Sequence, residues 1–370
     1  MRQYCDRFFN LVDNKDTWLQ VFYEGTRDHA GPDSMRISAL SVGVVLASLV
    51  AVANAGCPKS PNVRDSPPCG ATVVDQSGKY PGSYQTITEA IDSLSPTSNA
   101  SIFIFPGLFE ERLVVSNKGP LIIQGYTCDI LSYSANRVTI THTMSQTTLP
   151  TNIIKNRNEA TSTMSLKTPS FQLNNLNVVN NAGNTGQALA VYIECDKCSI
   201  NACSLQGYQD TVCANKGLIL FAKTHIVGAV DFIFGLYAVA WFEFCDIEVV
   251  GPGCITANGR KDARSPSLFV FNKGKVYGKN ETYLGRPWRE YSRAVFQFCY
   301  LGPIIKPEGW LEWNGDPNTE NVFFKEFQNT GDGAARDKRV KFSGELTEAL
   351  KITDYFTSDF RNEWCDKSCL

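Results

Sequence analysis

The sequence predicts an all-β protein: a right-handed, single-stranded parallel β-helix with short flanking helices. Three observations lead there. Beyond residue 100 the helical period disappears, and short β-rich runs follow one another, punctuated by Asn and Gly. An internal repeat aligns Cys203-Ser-Leu205-Gln-Gly207-Tyr-Gln-Asp210 with Thr224-His-Ile226-Val-Gly228-Ala-Val-Asp231, and both with Cys245-Asp-Ile247-Glu-Val249. The step is constant: Leu205, Ile226 and Ile247 are 21 residues apart, and so are Cys203, Thr224 and Cys245. A fixed period just above 20 residues with one apolar position kept per repeat is the signature of stacked coils. Residues one period apart then lie above one another at about 4.8 Å, the strand spacing. A leucine-rich repeat would show Leu-x-x-Leu-x-Leu, which is absent.

The elements follow in order. Met35-Arg36 opens an apolar run through Val42, Leu46 and Val52 that closes on Ala53-Asn54-Ala55, a small-residue cleavage pattern. Residues 35–55 are therefore expected to be a signal peptide with Met35 the true start, and residues 1–34 a gene-model extension or disordered. A signal anchor that keeps the chain on a membrane is the alternative. Residues 56–370 are expected to form one domain, since no linker divides them. Residues 57–70, with four prolines, predict an irregular lead-in tied by Cys57 and Cys69. Tyr84 to Leu94 has helical spacing and predicts a short amphipathic helix. Strands are expected at 102–105, 113–115, 121–123, 138–140, 171–179, 189–193 and 218–222. Glu345 to Leu350 predicts a helix, followed by a tail to Phe360 and a possible Cys365–Cys369 bridge.

Of 370 residues, 43% are apolar and 19% charged, with a net charge of −2. That composition belongs to a folded chain, and no basic surface invites a nucleic acid. Thirteen cysteines predict an oxidising compartment. Removing residues 1–55 takes only Cys5 and leaves twelve, an even number suited to disulfides. The expected location is extracellular, in a cell wall or the medium. Sequons at Asn99 and Asn280 are then candidate glycan sites.

The repeat also places Asp210 and Asp231 on one face of neighbouring coils. Two carboxylates that close cannot both ionise cheaply, so one pKa should rise. A nucleophile beside a general acid/base has that arrangement. Gln209 precedes the first aspartate, and Gln187 lies 22 residues earlier, near the same column. Their amide N–H groups could hold a developing oxyanion. Stacked Asp in solenoid turns also occurs for hydrogen bonding alone, and periodicity does not separate the two readings.

Other chemistries are poorly represented. No glycine is followed two residues later by serine, so a nucleophile elbow is missing. Neither His142 nor His225 lies in a triad motif. Cys195-x-x-Cys198 with Cys203 and Cys213 could hold zinc, but disulfides are the expectation in an exported chain. Neither a metal nor a cofactor is expected.

Five motifs in order make the chain recognisable: Gly107-Leu-Phe109-Glu-Glu111, Gln187-Ala-Leu-Ala190, Tyr208-Gln-Asp-Thr-Val212, Asp231-Phe-Ile-Phe-Gly235 and Leu284-Gly-Arg-Pro-Trp288. The last continues through Arg289-Glu-Tyr-Ser-Arg293, and Pro307-Glu-Gly-Trp310 follows. Across roughly residues 70–345 the chain resembles the pectin methylesterase (pectinesterase) family of carbohydrate esterases. The resemblance implies a pectin-lyase-like β-helix and hydrolysis of galacturonate methyl esters in homogalacturonan. It implies Asp231 as nucleophile, Asp210 as acid and then base, and Gln209 with Gln187 at the oxyanion. It further implies Arg286 holding Asp231, and Phe234, Trp288 and Trp310 against sugar, with Gln187 and Arg286 also touching substrate.

The chain departs from the family at Phe109 (usually Tyr), Leu236 (often Asn) and Cys213 (often aromatic). The inhibitor-like pro-domain of plant members is not expected, since few residues precede Cys57. Another pectin-active β-helix hydrolase, or a non-catalytic polysaccharide-binding β-helix, are the alternatives. A monomer without stable membrane association after signal cleavage is expected.

Overall fold

The computed structural model describes residues 57–315, 319–356 and 360. The expected leader at 35–55, the residues before it, and Cys365 with Cys369 lie outside them. The described chain is a right-handed parallel β-helix, and every pairing between its named strands is parallel. The 21-residue step is seen directly, since Leu205 is in register with Ile226 and Ile226 with Ile247.

Each full coil contributes a strand to three faces. A first face carries Lys197–Asn201 within the long strand Val191–Asn201, then Leu218–Ala222 within Val212–Ala222, Val239–Glu243, Leu268–Asn272 and Arg293–Gln297. A second face carries Ser204–Gln206, His225–Gly228, Asp246–Val249 and Lys275–Gly278. A third face runs from Leu113–Val115 and Met164–Leu166 through Val191 and Val212 to Ile233–Gly235, Gly253–Asn258 and Thr282–Gly285. Alternation aims one side chain of each pair inward, and the core is nearly continuous. Phe221, Phe242, Phe271 and Phe296 stack inside it, with centroids 4.5, 4.3 and 4.3 Å apart.

First and second faces meet at a one-residue corner. Asn175, Ala202, Lys223, Phe244, Lys273, Phe298 and Gln328 occupy it, all with φ between 47° and 56°. From Asn175 to Phe298 each corner N–H donates to the coil after it, as Lys223 does to Glu243 O and Phe244 to Asn272 O. That left-handed conformation is costly for a phenylalanine, and repeated ladder bonding holds it in place.

Several expectations change. The expected first helix is confined to Ile87–Asp92, where Thr86 and Glu89 form a capping box. Expected strands at 189–193 and 218–222 belong to longer ones, because Val191–Asn201 and Val212–Ala222 turn the corner from third face to first. Glu345–Leu350 is not helical. The chain from Leu346 to Tyr355 lies extended, with one 3₁₀ turn at Ile352–Asp354, and packs its apolar side chains with Phe356 and Phe360 on the outer side of the first face. Gln297 fastens it, donating to Leu350 O and accepting from Leu350 N. Tertiary burial against Trp241, Val270 and Val295 overrides local helical spacing there.

Cys57 bonds to Cys128, not to Cys69, which is exposed and unpaired. Cys195 bonds to Cys198. Cys203, Cys213, Cys245, Cys254 and Cys299 are buried free thiols rather than disulfides. Cys203, Cys245 and Cys299 recur beside the corner as small core residues, each S–H directed at a carbonyl of the preceding coil.

Candidate active site

The turn from second face to third presents Asp210 and Asp231 on adjacent coils. Gln209 is in register with Val230, and Asp210 N–H donates to Val230 O at 3.0 Å, so Asp210 stands over Asp231. Both have positive φ, 63° and 48°, a conformation that Asp tolerates better than most residues. Both are nearly buried, at 9% and 6% exposure.

Arg286 comes from two coils further on. Ile233, Thr256 and Gly285 are in register, and a Cβ on Gly285 would lie 2.0 Å from Thr256 Oγ1. Only glycine lets the chain press down there and aim the next residue back along the face. The Arg286 guanidinium then grips Asp231 through both oxygens, Nε to Oδ1 at 2.8 Å and Nη2 to Oδ2 at 2.5 Å. Bidentate charge-assisted pairing is strong and directional. It raises the Arg286 pKa further, chiefly through the hydrogen bond to Asp231. Asp210 has no such partner. Burial pushes its carboxyl well above the ordinary carboxylate range, the facing Asp231 adds to this, and Arg286 pulls partly back. The arrangement therefore pairs one carboxylate with a guanidinium and gives its neighbour a raised affinity for a proton.

Gln209 and Gln187 flank the pair and are half-buried. Ala188 N–H donates to Gln209 O, which sets Gln187 alongside Gln209. The step of 22 shortens to 21 at Val191, because both Ala190 and Val191 donate to Thr211 O. Neither side-chain amide has a hydrogen-bond partner among the described residues, so both can donate to a bound group. The thiols nearby are poor nucleophiles: burial holds Cys213 well above its ordinary value and pushes Cys254 up to about 12.

An apolar wall adjoins the carboxylates. Phe234 and Trp288 meet edge to face at 6.0 Å, beside Cys213 and Leu189. A cavity of about 320 Å³ opens against Tyr192, Cys213, Phe234, Leu236 and Trp288. Trp310 is not part of this wall. It is fully buried, stacked on Phe324 at 4.4 Å, and closes the interior phenylalanine column. The reason is its pairing: Trp310 is in parallel register with Gly285, on the inward side of that short ladder. Three residues on, Trp313 emerges and covers Arg286, with the guanidinium 4.2 Å from its ring. Asn314 Oδ1 accepts from Arg286 Nη1 at 3.2 Å. Neither residue was expected from sequence. The signal was the Trp310-Leu-Glu-Trp313 spacing, since an extended chain puts residues three apart on opposite sides.

Known proteins share much of this sequence and fold. The Pectinesterase family model matches residues 71–362. A pectinesterase of Aspergillus niger is 40% identical over 320 residues, covering 82% of this chain and 93% of that one. One of Aspergillus aculeatus is 41% identical over 320 residues, covering 82% and 94%. Among solved structures, the pectin methylesterase from Aspergillus niger superposes with a TM-score of 0.75 at 32% identity, covering 83% of this chain and 99% of that one. Pectin methylesterase from carrot gives 0.68 at 28% identity, covering 76% and 90%.

Proposed function

The chain belongs to the pectinesterase family, a family of carboxylic ester hydrolases, and on that premise we propose that it cleaves galacturonate methyl esters in pectin through an aspartyl acyl-enzyme. The observation that carries the mechanism is the asymmetry of two stacked carboxylates, one gripped by Arg286 and one whose pKa burial and the facing Asp231 push up.

Asp231, ionised and aimed by Arg286, attacks the ester carbonyl carbon. The carbonyl oxygen becomes an oxyanion and accepts hydrogen bonds from the Gln209 and Gln187 amides; one such donor is worth about 10²–10³ in rate. As the tetrahedral centre collapses, the bond to the methoxy oxygen breaks. Asp210 gives that oxygen its proton, and methanol departs. The galacturonyl group is then joined to Asp231 as an anhydride. Asp210, now a carboxylate, takes a proton from water while the water oxygen attacks the same carbon. Asp231 leaves as carboxylate, and the polymer gains one acid per ester lost. Trp288 and Phe234 offer apolar surface to the sugar rings.

Residues 56–370 constitute the working domain in this reading. It acts outside the cell, exported by the segment at 35–55, as a monomer without stable membrane association. No helix among the described residues is long and apolar enough to cross a membrane.

Methanol release from highly methylated pectin tests the mechanism. Asp231→Ala should lower kcat by about 10⁴-fold or more, as expected for loss of a nucleophile. Undiminished release by a folded Asp231→Ala protein would remove the covalent step. An inactive folded parent would return the chain to a binding role.

A further inference from the structure

The interior phenylalanine column ends on a charge. Phe221, Phe242, Phe271 and Phe296 follow one another in register, and the next position in that ladder is Glu326. Its side chain is 2% exposed, and Arg339, at 4%, meets it through two hydrogen bonds, Nε to Oε1 at 2.8 Å and Nη2 to Oε2 at 3.1 Å. Stability does not call for this pair. Another ring would continue the column, and an apolar replacement for a buried ion pair is often as stable or more so. What a buried, bidentate pair does supply is a fixed direction for the guanidinium.

The rest of that guanidinium is spent on backbone. Nη2 donates to Gly333 O at 2.6 Å, and Nη1 donates to Lys306 O and Pro307 O at 3.3 and 3.1 Å. The adjoining Val340 N–H donates to Glu308 O at 3.1 Å, so residues 306–308 are held by Arg339 and Val340 together. Gly309 follows with φ of 71°, and a Cβ there would lie 2.4 Å from Arg339 Cδ, so the chain turns against the arginine stem.

Immediately beyond, that segment meets the strand of Arg286. Leu284 N–H donates to Gly309 O at 2.7 Å and Leu311 N–H to Gly285 O at 3.0 Å, while Trp310 is in register with Gly285. Residues 309–311 therefore form the next rung beside the strand that delivers Arg286. The chain then lays Trp313 over the Arg286 guanidinium and offers Asn314 Oδ1 to its Nη1. Arg286 in turn grips Asp231.

We infer that Glu326 and Arg339 are positioning residues for the ester hydrolysis: their buried pair sets the rung at 309–311, and that rung sets the reach of Arg286 to Asp231. Both act through Arg286 from inside the solenoid. Alignment at a reacting group is steep, since a misplacement of about 1 Å can cost about 10²-fold in rate. The inference rests on the proposed esterase chemistry.

The test replaces the pair with apolar side chains in Glu326→Leu/Arg339→Met. Separately, Gly309→Ala pushes on the same rung and leaves both charges in place. Each variant is compared with the parent for urea midpoint, for kcat and KM on highly methylated pectin, and for amide hydrogen exchange. The double variant should keep a urea midpoint near the parent's, while kcat per folded molecule falls about 10–100-fold and KM stays within about twofold. Gly309→Ala should lower kcat in the same direction. In both, exchange at the amides of Leu284 and Leu311 should quicken, while Leu205 and Ile226 keep the parent's rate. A parental kcat in a folded variant would overturn the inference, whatever happens to the midpoint. So would a fall in kcat without faster exchange at Leu284 and Leu311. Should the double variant not fold, Gly309→Ala decides the same question. A parent that releases no methanol would sink the esterase reading instead, and amide exchange would still decide whether the pair holds the strand of Arg286.

Discussion

Phe221, Phe242, Phe271 and Phe296 stack one coil upon the next inside the solenoid, and Asp210 stands over Asp231 at the turn into the third face in the same manner. The rung spacing is common to both columns, yet its energetic sign is opposite. Rings at that separation gain about 0.5–1.5 kcal/mol per pair beyond the area they bury. Carboxylates at that separation repel unless one is neutralised. A solenoid therefore stabilises apolar repetition without further provision, while repetition of charge requires a proton on Asp210 and a guanidinium on Asp231. The catalytic asymmetry of the pair follows from that requirement.

Asp210→Asn breaks the contrast most severely. It removes the proton that Asp210 would pass to methanol, and kcat should fall about 10²–10⁴-fold. Stability should move the other way. Because the folded state holds the Asp210 proton more tightly than the unfolded chain, stability declines as pH rises from the ordinary carboxylate range up through the raised value. The amide abolishes that decline, so the variant should melt at a higher temperature than the parent at pH 7 and at a similar one near pH 3. Thermal denaturation at the two pH values checks it; a variant no more stable at pH 7 would mean that the stacked acids carry no cost.

Phe271→Ala probes the favourable column. A large buried ring removed from the middle of the stack should cost about 3–5 kcal/mol in urea denaturation. Methanol release per folded molecule should stay within about twofold. A large change in kcat at full folding would show that the two columns are not independent.

The tryptophans give the smallest and sharpest separation. Trp310→Leu should lower the urea midpoint with little change in KM. Trp313→Leu should raise KM about fivefold, the scale of one cation–π contact, with little change in the midpoint. Interchanged effects would reverse the assignment of inner and outer rings.

Much of this was legible in the chain. The 21-residue step placed Asp210 over Asp231 because a parallel ladder allows no other stacking of Leu205 on Ile226. Arg286 was recognisable through its motif, although the two coil steps that bring it back to Asp231, 23 residues from Ile233 to Thr256 and 29 from Thr256 to Gly285, follow no single period. The orientation of Trp310 was not legible, because both it and Trp313 satisfy a generic expectation of an aromatic near the site. Cys57 was assigned a partner from proximity in sequence, but its bridge crosses 71 residues. The tail at 346–355 has helical spacing, yet its apolar side chains match a stripe on the first face, and that long-range match decides its conformation. Local pattern reports the repeat well and reports poorly on what is laid against it.

The left-handed corner between first and second faces has a further consequence for how such a protein can vary. From Lys223 to Phe244 the chain takes 21 residues, and from Phe244 to Lys273 it takes 29, yet both arrive at the same corner conformation. The corner admits a single residue, so extra length enters elsewhere in the coil. In the longer coil some of it forms the loop at 260–265 beside Trp288. Lineages can thus lengthen or shorten the rim that meets the polymer while the interior columns stay in step. Natural variation in substrate pattern is expected to be written as insertions on that rim, and deletions at the corner itself should be absent.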